Sequence, residues 1–146
     1  MDLVNEIKKI HLKLNKNIRE FNKSEKNKEE IKVSELQIHK ILYFVYGYFW
    51  KKYQEELFAA DFEAWKYGPI EINYRINKKI IESKIIFNEE KKEFIKDKIN
   101  KLLVYEIWFL IEQSHLTTPW IKNFNSDKDP KKIDNNEIKD FFEKLY

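Results

Sequence analysis

The segment from Ser34 to Tyr53 constrains this chain more than any other, because it reads as one helix with apolar side chains on two faces. Its start is fully specified. Ser34 is an N-cap residue, Gln37 stands where it closes a capping box, and Val33 and Ile38 flank the cap as a hydrophobic staple. Downstream, Ile38, Ile41, Val45 and Phe49 form one stripe at helical spacing, and Tyr43, Tyr46 and Trp50 form a second. Such a helix is stable only in the middle of a core or against a partner. Breakers are scarce: the only glycines and prolines are Gly47, Gly68, Pro69, Pro119 and Pro130, and a turn-rich β fold needs many more. The expected fold is therefore mainly α, a compact helical domain around a central aromatic helix, with at most one or two short strands.

The rest of the chain is arranged around this helix. Leu3, Ile7, Ile10, Leu14, Ile18 and Phe21 recur at three- and four-residue steps and predict an amphipathic helix; the charged stretch that follows, to residue 32, predicts a loop or a frayed helix end. Residues 1–32 are read as an N-terminal helix and charged loop, and residues 33–146 as the helical domain proper. Leu57 to Asp61 reads as a loop, and Phe62 to Tyr67 alternates with period two, as a short strand does. Pro69 fits the first turn of a helix carrying Ile70, Ile72, Tyr74, Ile76, Ile80 and Ile81. Lys84 to Phe87 is either a second strand or an apolar loop. Asn88 caps a long helix through Phe94, Ile95, Ile99, Leu102, Leu103, Ile107, Leu110 and Ile111; Val104-Tyr105-Glu106 allows a break, though nothing there forces one. Ser114 to Trp120 reads as a turn. Asp134 and Glu137 open a last amphipathic helix with Ile138, Phe141, Phe142 and Leu145.

Catalytic chemistry finds little to stand on. There is no cysteine, which removes disulfides and thiolate zinc sites. His11, His39 and His115 are not paired at the three- or four-residue spacing of helical metal ligands. His115 follows Ser114, but glycine-rich backbone for an oxyanion hole is lacking. Its ring is expected to bond backbone or a neighbouring side chain and pin the turn before Pro119-Trp120. The chain thus reads as a non-enzyme, with no catalytic residue, metal or cofactor.

Charge narrows the partners. The net charge is +3 with both signs interspersed, and arginine occurs only at Arg19 and Arg75, so nucleic acid is not an expected partner. No apolar run approaches the roughly 18 residues of a membrane span, and none resembles a signal peptide, so the expected location is cytoplasmic. Aromatic residues make up 16% of the chain, more than a small core readily absorbs. That excess points to a protein-binding surface, assigned to Tyr43, Tyr46, Trp50, Tyr53, Trp65 and Tyr67.

Three blocks occur in a fixed order. The first is Leu36, Lys40, Ile41, Leu42, Tyr43 and Gly47; the second is Phe62, Ala64, Trp65, Tyr67, Gly68 and Pro69; the third is Ser114-His115 with Pro119-Trp120 after a short spacer. Together they resemble the Panacea-domain (SocA-like) antitoxin family. The N-terminal helix, the shortened region before Ser114 and Val104-Tyr105-Glu106 depart from that pattern. The resemblance implies an antitoxin of a bacterial or phage toxin–antitoxin pair, neutralising a cognate toxin encoded nearby by direct contact. The alternatives are a proteolytic adaptor that also binds a protease, and a nucleic-acid-binding regulator. Read physically, the motif residues Leu36, Lys40, Leu42, Gly47, Ala64, Gly68, Pro69, Ser114, His115, Pro119 and Trp120 are expected to be scaffold.

Overall fold

A computed structural model describes residues 1–21 and 33–145. The predicted charged loop lies outside the described residues. The elements run α1 (Leu3–Phe21), α2 (Glu35–Tyr53), β1 (Phe58–Ala59), β2 (Phe62–Trp65), β3 (Gly68–Glu71), α3 (Ile72–Asn77), β4 (Ile81–Glu82), α4 (Glu89–Leu103), α5 (Ile107–His115), α6 (Thr118–Asn123), β5 (Lys131–Ile133) and α7 (Asn135–Glu143). Among the described residues no helix is long and apolar enough to cross a membrane.

The capping box forms at the start of α2. The Gln37 amide donates to Ser34 Oγ at 3.1 Å, and the Ser34 amide donates to Gln37 Oε1 at 3.0 Å. At the other end Gln54 turns left-handed and returns its amide to the Trp50 carbonyl. Ile38 to Gly47 and Phe49 are all buried, between β3, α4, α5 and α7. Gly47 leaves room for the Phe142 ring of α7 to lie against the helix backbone; a Cβ there would collide with it. Leu3, Val4 and Ile7 bury one face of α1, which lies along α4.

The strands exceed the expected one or two. Among the described residues there are five, in a two-stranded sheet of order β1-β4 and a three-stranded sheet of order β3-β2-β5. Pro69 is the main correction. It sits in β3 opposite Ala64, not in the first turn of a helix. Strand alternation turns its ring nitrogen away from β2, and β3 is an edge strand, so the ladder loses no donor. The helix begins only at Ile72, where Glu71 caps it by accepting the Tyr74 amide at 2.8 Å. It stops at left-handed Lys78, which leaves Ile80 outside and frees Ile81 to pair with Ala59, in the segment read as a loop. Lys84 to Phe87 form no strand.

The long helix breaks where the sequence allowed it, with α4 ending at Leu103 and α5 starting after Glu106. The expected turn from Ser114 to Trp120 is instead a helix junction. Ser114 and His115 complete α5, and Pro119 lies in the first turn of α6, where its missing N–H costs nothing. Asp134 caps α7 through the Asn136 amide.

Candidate docking surface

The turn between β2 and β3 is held from within by residues of all three sequence blocks. Lys40 has no exposed surface, and its amine donates to the Pro69 carbonyl at 3.0 Å. Burial lowers its pKa to about 7. Gly68 has φ +99°, and a Cβ built there would stand 2.5 Å from both Lys40 Cε and Ser114 Oγ. Glycine is therefore required twice, by conformation and by space. Ser114 Oγ donates to the Ile111 carbonyl and Thr117 Oγ1 to the Ser114 carbonyl, each at 2.7 Å. Thr117 has then spent its one proton, so the Tyr43 hydroxyl is the donor in their 2.8 Å bond.

The outer side of the turn is pinned in the same way. His115 Nε2 lies 2.9 Å from the Lys66 carbonyl and so carries the ring proton, and the ring stacks on Trp120 at 4.0 Å. Trp120 Nε1–H donates to the Trp65 carbonyl at 2.7 Å. On the neighbouring seam the Glu71 amide donates to His39 Nδ1 at 3.0 Å. Lys40 and His39 thus satisfy the β3 backbone groups that face away from β2, as a fourth strand would otherwise do. Leu42, Ala64 and Pro119 are buried, Leu36 is half-buried, and Gly47 seats Phe142.

The aromatic residues assigned to a binding surface divide sharply. Tyr43 and Tyr46 have no exposed area, which removes them from any surface. Their stripe faces the interior, where Tyr43 packs edge-on against Phe62 and Phe142, and Tyr46 against Phe58 and Phe62. Trp50 is half-buried, donates to Glu143 at 2.7 Å and lies under the Lys139 amine. Tyr53 is half-buried against Phe49 and Phe94. Trp65 is half-buried beneath the Arg75 guanidinium. Of the six, Tyr67 alone is exposed, at 42%.

Tyr67 meets Trp108 edge-on with ring centroids 6.1 Å apart. Trp108 is 61% exposed and belongs to an outward face of α5 and its flanks that the sequence reading did not single out. The helical period that buries Leu110, Ile111 and Ser114 turns Trp108, Phe109 and Glu112 toward solvent, and Tyr105 and Leu116 in the flanking turns are exposed beside them. Tyr105 and Phe109 pack together at 4.7 Å. Four large apolar side chains and a single charge make an unusual solvent face, and that imbalance was the available signal. On its other side Tyr67 walls a groove of about 300 Å³ between α2, β3 and α3.

Comparison with known proteins agrees with the placement of the three blocks. Residues 36–121 match the family model described as antitoxin SocA-like, Panacea domain. No curated protein and no solved structure matches the chain.

Proposed function

The chain belongs to the SocA-like antitoxin family of the Panacea domain, and from that premise we propose that it neutralises a cognate toxin in the cytoplasm by direct protein–protein contact, with no catalysis of its own. The observation that carries this reading is the exposed apolar face of Tyr67, Tyr105, Trp108, Phe109 and Leu116. Trp and Tyr bury large areas at low entropic cost and dominate binding hot spots. The face stands beside a hairpin pinned by buried hydrogen bonds, so little ordering cost remains on association. In this reading the aromatic helix α2 is the central scaffold, and its buried aromatic faces meet no partner.

Co-expression with the product of the adjacent gene is the test. Restored growth and a stable complex are expected, with inhibition persisting in a purified mixture that contains no protease. A harmless neighbour that does not co-purify would end the proposal. Inhibition that appears only when a protease is present would make the chain a delivery adaptor.

A further inference from the structure

We propose that the groove between α2, β3 and α3 is a carboxylate subsite of the docking surface, taking one acidic side chain of the protein partner. This rests on the docking reading above and adds the chemistry of one contact.

Two donor side chains, His39 and Arg75, line the groove, and among the described residues neither has a carboxylate partner. His39 is only 4% exposed, and its Nδ1 accepts the Glu71 amide. A neutral imidazole that accepts at Nδ1 carries its proton on Nε2. The ring lines the groove, and no described residue accepts from that N–H. Arg75, exposed on α3, holds its guanidinium 4.7 Å from the centre of the Trp65 ring. No carboxylate among the described residues forms an ion pair with it. A guanidinium lying over an aromatic ring can still present its N–H edge to a bidentate carboxylate.

The other groups in the groove select the ligand. Leu36, Trp65 and Ile70 give it apolar walls that suit the stem of a Glu or Asp side chain. Glu35 is engaged by Lys78 at 3.1 Å, and Asp127 accepts the Lys66 amide at 2.6 Å. Two resident acids at the rim leave room for a single added negative charge and oppose a polyanion such as a nucleic-acid backbone. The field at His39 has the matching sign. Burial first, then Lys40, Lys78 and Arg75, push its pKa down to about 3, and Lys78 and Arg75 in the groove lining attract a carboxylate. Tyr67 joins this groove to Trp108, so one partner can cover both.

The experiment measures binding of the purified adjacent-gene product to the wild type, Arg75→Gln and Trp108→Ala at low and high salt. Arg75→Gln is expected to keep the wild-type melting temperature, weaken binding about tenfold and flatten its salt dependence. Complex formation is expected to shift the His39 Nε2–H resonance in ¹⁵N spectra. If Arg75→Gln binds as the wild type does while Trp108→Ala fails, or if the His39 resonance does not move, the subsite is overturned and the docking face stands. If neither substitution weakens binding, or the wild type does not bind, the docking face falls and the subsite with it.

Discussion

The Lys40 amine bonds to the Pro69 carbonyl across 3.0 Å from a side chain with no exposed surface, and among the described residues no carboxylate pairs with it. Its pKa falls from 10.5 to about 7 on burial. Between those values the unfolded chain binds more protons than the folded one, so stability rises with pH from about 7 to about 10. Relative to Lys40→Met, which cannot titrate there, the wild type is expected to gain up to about 1.4 kcal/mol per pH unit across that window. Urea unfolding at several pH values reads the difference. A gap between the two proteins that stays constant with pH contradicts the assignment.

Gly68 tolerates no side chain. The left-handed backbone and the 2.5 Å approach of Lys40 and Ser114 to any Cβ act together. Gly68→Val is expected to cost about 2–4 kcal/mol and Gly68→Ala somewhat less, seen as a lowered melting temperature. The molecules that remain folded should bind the partner as the wild type does. A valine variant that melts with the wild type would refute this account.

Two buried tyrosines should respond oppositely to loss of the hydroxyl. Tyr43 donates to Thr117, so Tyr43→Phe is expected to cost about 1 kcal/mol. The Tyr46 hydroxyl has no partner among the described residues, so Tyr46→Phe is expected to be neutral or to stabilise by up to about 1 kcal/mol. Chemical denaturation of the pair decides it; equal losses would show that the Tyr46 hydroxyl is satisfied.

Trp108 is mostly exposed and meets the Tyr67 ring edge to face. Trp108→Ala is expected to leave the melting temperature within a degree or so of wild type, while lowering affinity for the toxin by about 2 kcal/mol or more, a factor of roughly 30. Calorimetric titration against thermal melting separates the two effects. Loss of stability with unchanged affinity would make Trp108 a structural residue.

Acid is expected to destabilise the fold through His39. Its folded pKa is about 3 against 6.5 for the free side chain, so from pH 6.5 downward the unfolded state takes up the proton first and stability falls. His39→Gln should flatten that part of the profile in stability measurements between about pH 6 and 4. An identical slope in both proteins would exclude His39 as its source.

The features that local chemistry decides were legible in the sequence. The capping box at Ser34 and Gln37, the strand from Phe62 and the Asp134 cap each depend on residues a few positions apart. Pro69 was misread because the first turn of a helix and the edge of a sheet ask the same φ of proline. What separates them is Lys40, 29 residues away. The strands β1, β4 and β5 are two or three residues long and exist only through pairing with distant segments. The candidate surface was only partly legible. Composition registered an aromatic excess but carried no information on direction, so Tyr43 and Tyr46 were placed outside when they lie within, and the outward side of α5 went unread.

The sealing of β3 by side chains of α2 has a consequence for how this molecule can associate. At the opposite margin of the sheet, β5 presents exposed Lys131 and Lys132, which repel an incoming strand. With one border occupied and the other guarded, the three-stranded sheet is a poor template for strand addition by a foreign chain. In the proposed docking reading, recognition then rests on side chains of α5 and around Tyr67. Exchanging those residues can change which protein is held while the buried hairpin beneath stays as it is.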